Sequence, residues 1–227
     1  MDYLAKKREF IFVNTGQQQI RVHVQQVRGI KYDLWIEHRN KPFRNAVLKL
    51  TQILSQFNLD KLAPIVIIGE NRLGQGGLAA YSRAQDVIFV STVLFEKNRY
   101  KLDSTFSERN LSQIIAHELS HKQHWDAVKR FHYANRFRYN DLQISKKYLD
   151  QELERYISLK TAEDTFYLVN NVSQYAQDSF FVEKKNNSNQ SVNEVIAEVI
   201  GMGGSKDPVL NDLIYKELNY GKRRDLY

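Results

Sequence analysis

The stretch IIAHELSHKQH, residues 114–124, sets Glu118 among His117, His121 and His124. His117 and His121 are four residues apart, so on a helix they stand one turn apart on the same face. Two imidazoles placed that way can reach one ion at the ~2.0–2.1 Å that zinc requires. Glu118 is rotated about 100° from His117. It lies beside such an ion without ligating it, where a carboxylate can take a proton from a zinc-bound water. His-Glu-x-x-His is therefore a mechanical unit. The plainer alternative is a helix that only carries histidines. Apolar Leu111, Ile114, Ile115 and Leu119 at helical spacing, a capping pair at Asn110 and Gln113, and the absence of a breaker favour the site.

A catalytic zinc takes three protein ligands and keeps one position for water. His124 lies about 10 Å along the axis from His117. Three side chains in one row close a tetrahedron poorly, so the third ligand is expected elsewhere. The best source is SVNEVIAEVIG, residues 191–201, which offers Glu194 and Glu198 four apart among Val195, Ile196 and Val199. Paired carboxylates in apolar company are costly to bury unless positive charge is near, and a zinc ion supplies it. The alternative is the solvated face of an amphipathic helix. Ser191 and Glu194 read as a capping box. The chain has no cysteine, so a metal must be held by His, Asp or Glu; the lack also fits a reducing compartment.

HELSH followed by a later helix with NEVIAE resembles the gluzincin zinc metallopeptidases, whose third ligand is a Glu on a later helix. Tyr-Ala followed by Glu-x-x-Ala-Glu is similar to the anthrax lethal factor and Pro-Pro endopeptidase group, and to related phage-encoded peptidase domains. The resemblance implies a zincin-like α+β fold, in which a small twisted N-terminal sheet packs on the active-site helix and the C-terminal half is helical. It implies one Zn2+ held by His117, His121 and Glu194, with Glu118 as the base that passes its proton on to the leaving amine. Glu198 would accept a hydrogen bond from the distal nitrogen of a ligand histidine, with His117 the first choice. In that group a tyrosine shortly before the ligand Glu supports the transition state. SQYAQDS, residues 173–179, offers Tyr175, and the polar stretch EKKNNSNQS, 183–191, lengthens its spacing to Glu194. The stretch 76–91 looks like the substrate-side strand of such enzymes, with a peptide or protein substrate adding to a sheet edge at 86–91.

These residues need a scaffold. EFIFVNT and QIRVHVQQVR alternate apolar and polar as half-buried strands do, and NTGQ between them reads as a hairpin turn. KYDLWIE suggests a third strand. Residues 39–58 then switch to helical period, with Pro42 in the first turn and Phe43, Val47, Leu50, Leu54 and Phe57 as the stripe. PIVIIGE reads as a buried strand, NRLGQGG as a loop, and residues 78–95 as two strands with a turn near Arg83–Gln85. Beyond about residue 103 the period is helical: 110–131, then 144–170 with Leu149, Leu153, Tyr156 and Leu159 on its face, then a helix ending at glycine after Met202, and a last one starting at Pro208. A β-rich 1–102 followed by a helical 103–227 predicts a single α+β domain.

The net charge of +7 concentrates in residues 128–147 and in the tail YGKRRDLY. An anionic partner such as nucleic acid would explain it; a solvated helix face explains it as well, and no nucleic-acid motif accompanies the charge. No run approaches the roughly 18 apolar residues of a membrane span, and the N-terminus shows no secretory signal. The expected location is the cytoplasm, or a virion if the chain is phage-encoded. The rival function is a non-catalytic basic zinc protein that binds nucleic acid or a virion partner. Glu118 speaks against it, because a structural zinc site needs no base.

Overall fold

The computed structural model describes residues 10–26, 32–58, 62–74, 77–96 and 111–222, so the cap expected at Asn110 lies outside them. Two compact units divide the chain, Met1–Leu102 and Asp103–Tyr227. The boundary falls where strand period gives way to helical period. The fold is α+β, a six-stranded mixed sheet followed by a helical half.

In the first unit, alternation builds an antiparallel hairpin of β1 (Phe10–Asn14) and β2 (Gln19–Gln26), closed where the Thr15 amide donates to Gln18 O at 3.0 Å. β3 (Asp33–Ile36) extends it antiparallel. Helix α1 (Lys41–Leu54) then crosses to β4 (Ile65–Ile68), which pairs parallel with β3. Its buried face is Phe43, Ala46, Leu50 and Leu54. β5 (Ala79–Ser82) and β6 (Val87–Ser91) form a second hairpin, followed by a 3-10 turn at Thr92–Phe95. Val13, Ile20, Val22, Val66, Ile68, Val87 and Phe89 make one apolar cluster on the sheet. The strand order is β1-β2-β3-β4-β6-β5. This corrects the edge expected at 86–91: β6 lies inside the sheet, parallel to β4 and antiparallel to β5, and all five of its residues are buried. The outer strands are β1 and β5.

The second unit is helical: α2 (Leu111–Ala134), α3 (Leu142–Glu163), α4 (Tyr167–Asn171), α5 (Gln174–Lys185), α6 (Asn193–Met202) and α7 (Pro208–Leu218). α6 packs along α2, and α3 and α7 pack on α2 and on each other. The caps are largely local chemistry. Asp141 accepts from the Ile144 amide at 2.8 Å, Asp207 from Val209 at 2.8 Å ahead of Pro208, and Gly203 at φ +82° closes α6. Three local expectations are corrected. The helix expected over 144–170 breaks at Asp164, whose backbone is extended, and resumes as the short α4. Of the face expected on α3, Leu153 is buried and Tyr156 packs on the core, but Leu159 is exposed, and the rest of the buried stripe is Ser145, Lys146, Asp150, Ile157 and Thr161. And α6 starts at Asn193 behind Val192 with no side-chain cap, so Ser191 and Glu194 form no capping box; the Glu194 carboxylate faces two histidines instead. No described helix is long and apolar enough to cross a membrane.

Candidate metal centre

The centre is built where α6 lies against α2. A close approach is possible because of Gly201: a Cβ there would meet the Cβ of His117 at 3.2 Å and the Gln113 carbonyl at 3.2 Å. Across that contact Glu194, in the first turn of α6, meets the two histidines of α2. His117 Nε2 lies 3.3 Å from Glu194 Oε2, and His121 Nε2 lies 3.6 Å from Glu194 Oε1. The two imidazoles stand nearly perpendicular with centroids 5.1 Å apart. The far nitrogen of His117 is engaged as well: Nδ1 is 3.2 Å from Glu198 Oε1, one turn along α6. A proton on Nδ1 facing that carboxylate would leave Nε2 free to offer its lone pair to a metal ion.

Burial sets the electrostatics. His121 is pushed down to about 4, chiefly by desolvation, so at neutral pH its ring is uncharged and can donate a lone pair. Burial works to raise Glu194, but hydrogen bonding to His117, the charge interaction with both histidines and a hydrogen bond from Tyr175 outweigh it, and the group stays below the ordinary carboxylate range. Two imidazole nitrogens and one carboxylate form a donor set that suits a divalent cation. Oxygen Oε2 of Glu194 is buried and makes no well-formed hydrogen bond, which is a cost in the absence of positive charge. Two ligands each about 2.1 Å from a tetrahedral ion stand roughly 3.4 Å apart, close to the 3.3 and 3.6 Å between the nitrogens and Glu194. The residues present fit the ion.

Of the other residues named from the sequence, Glu118 is buried on α2 next to His117, and Tyr175, on the first turn of α5, hydrogen-bonds Glu194. Glu198 is fully buried. The longer spacing between Tyr175 and Glu194 is taken up by the rest of α5 and the turn after it. The basic run 128–147 divides. Arg136 lies 5.1 Å from the exposed rings of Tyr133 and Phe137, whereas Lys146 has no exposed surface.

A second set of donors lies beyond what the motifs point to. His124, Asp150 and Glu217, on α2, α3 and α7, bring donor atoms within 4.8 Å of one another, as His117, His121 and Glu194 do. His124 Nε2 is 2.9 Å from Asp150 Oδ1 and 3.0 Å from Glu217 Oε1. Lys146 donates from Nζ to the other oxygen of Asp150 and, at 2.6 Å, to the carbonyl of Asn189. Gly201 and Ser173 also stand outside the motifs, though each has a local signal. Gly201 is a glycine inside an apolar helical run, and Ser173 is a serine opening a helix. No protein-family model, no curated protein and no solved structure matches the chain.

Proposed function

We propose that the protein is a zinc-dependent endopeptidase of the gluzincin kind. One observation carries the reading: two histidine Nε2 atoms and the Glu194 carboxylate converge, while the remaining nitrogen of His117 faces Glu198. His117, His121 and Glu194 would hold the ion. Bound zinc would supply Lewis-acid polarisation of the scissile carbonyl and lower the pKa of the water it holds. Glu118, one residue from His117 and turned to its side, is the base: it takes the proton from the attacking water and returns it to the leaving amine. Its buried setting keeps bulk water from competing for that proton. Glu198 holds His117 in one tautomer and one orientation. Tyr175, whose hydroxyl donates to Glu194 at rest, is the donor available to the oxyanion as charge develops on the carbonyl.

The test is Glu118→Gln. The amide is nearly isosteric and cannot take the proton, so the variant should retain the metal and the fold while turnover of a peptide library falls by at least ~10²–10⁴-fold. Near-native turnover in the variant would refute the role of Glu118. A wild-type chain that holds zinc and leaves every peptide intact would make the zinc structural.

A further inference from the structure

We propose that Ser173 is a positioning residue for the metal centre, acting on His117 through Glu198. The proposal rests on the metal-centre reading above and adds a residue to it.

Ser173 precedes α5 and caps it: its Oγ accepts from the Ala176 amide at 3.1 Å. The same Oγ donates to Glu198 Oε2 at 2.7 Å. Glu198 Oε1 stands 3.2 Å from His117 Nδ1. Three side chains from three helices thus form one line that ends at the imidazole. Glu198 has no exposed surface, and Ser173 is buried as well.

The chemistry of a hydroxyl makes the line directional. Ser173 has one proton and two lone pairs. The Ala176 amide takes a lone pair, so the proton is left to point at Glu198. A helix cap only has to accept, and in an exposed cap the proton goes to water. Here it goes to a buried carboxylate that faces a metal ligand. The terminal torsion of a glutamate is broad and sets no preference of its own. A hydrogen bond to Oε2 therefore decides where Oε1 points, and Oε1 is the atom at His117. The cap has a second consequence. α5 carries Tyr175 two residues after Ser173, so one hydroxyl sets both the start of the tyrosine-bearing helix and the orientation of the carboxylate behind His117.

The two roles can be separated. Glycine is a fair cap, only a few tenths of a kcal/mol poorer than serine, yet it has no hydroxyl. Zinc itself is the probe, measured by competition with a chromophoric chelator on the full chain, with melting temperature recorded beside it. Ser173→Gly should melt only a little lower, because the buried Glu198 Oε2 loses a donor, and bind zinc about 10-fold more weakly, at the lower end of what groups behind a ligand contribute. Ser173→Thr should restore affinity. In a Glu198→Ala background, Ser173→Gly should weaken zinc no further, because the intermediary is gone. The proposal is overturned if Ser173→Gly binds zinc as wild type does, if Ser173→Thr binds no better than Ser173→Gly, or if the loss is equal in both backgrounds. A wild-type chain that fails to bind zinc overturns the metal centre and this proposal together; a zinc-binding wild type with an indifferent Ser173 overturns this proposal alone. Both outcomes are read from zinc affinity, without any measurement of peptide hydrolysis.

Discussion

His121 and His124 sit three residues apart on α2, and burial treats them in opposite ways. Desolvation drives His121 down to about 4. His124 is buried more completely, which also works to lower it, yet the Asp150 carboxylate more than compensates and the ring is raised. A neutral imidazole offers a lone pair, and a protonated one offers only donors. The groups around them differ in one respect that matters. Lys146 is part of the second group, fully buried and bonded to Asp150. Above about pH 7, where Glu217 is ionised, protonated His124 and Lys146 balance Asp150 and Glu217. In the first group the carboxylate of Glu194 meets two imidazoles, one of them held neutral. Similar residue types thus make two groups a turn apart that could each hold an ion, and in the second Lys146 clamps Asp150. The difference is whether a lysine already supplies the positive charge.

Metal content gives the largest effect and the cleanest break. His121→Ala or Glu194→Ala should empty the chain of zinc, whereas His124→Asn and Glu217→Gln should leave one equivalent in place, by elemental analysis of dialysed protein. Loss of a second equivalent from either of the latter would make the clamp a metal site and end the comparison.

Lys146→Met comes next. It removes the cation of a buried pair, a change that typically destabilises by about 3–5 kcal/mol. Urea unfolding should find that loss; a variant as stable as wild type would mean that the lysine balances nothing.

The pH dependence follows from Glu217. Burial, and after it the neighbouring Asp150, raise this group from its ordinary 4.5 to about 7. Between those values the folded chain holds a proton that the unfolded chain has released. The associated stability is therefore present below about 4.5 and is lost as the pH rises through about 7. Raised His124 acts with the same sign at higher pH, above its ordinary 6.5. Glu217→Gln is neutral throughout and should remove the lower part of the slope. Unfolding titrations over this range should show wild type losing ground to the variant as pH increases. A constant difference would mean that Glu217 is ionised throughout.

The smallest effect expected is from Gly201→Ala. Its Cβ would press on His117 and on the Gln113 carbonyl, each 3.2 Å away. Overpacking of that kind costs typically 1–3 kcal/mol, and zinc affinity should fall with it. Thermal melts with and without zinc would separate the two, and an unaffected melting temperature would mean that α6 has room to move.

Local pattern makes some of this legible and hides the rest for physical reasons. The hairpin at NTGQ, the stripe of α1 and the one-turn spacing of His117 and His121 depend on neighbours within a few residues, and alternation or helical period exposes them directly. The position of β6 depends on pairing with β4 and β5, which no local alternation encodes. The face of α3 escapes a periodicity argument because its buried stripe includes Lys146 and Asp150. Charged residues count as solvent-facing in any such argument, and here Asp150 is buried with His124 on α2 while Lys146 is buried with Asp150 and the Asn189 carbonyl in the turn after α5. Ser173 belongs to the same class: its capping role is local, but its bond to Glu198 exists only once α5 and α6 are together.

The turn between α5 and α6 carries one further consequence. Its composition, KKNNSNQS, is that of an exposed loop tip, where proteolytic nicking concentrates. Main-chain pairing with an extended segment is a common way to take up a peptide, and it requires free amides and carbonyls. In this turn many are already committed. The Asn187 amide donates to Lys184 O, Ser188 to Glu183 O and Asn193 to Gln190 O, and the Asn189 carbonyl accepts from Lys146. Stretching the loop into another molecule's cleft would strip a fully buried ammonium of one of its partners. The buried lysine thereby guards the turn against proteolytic nicking.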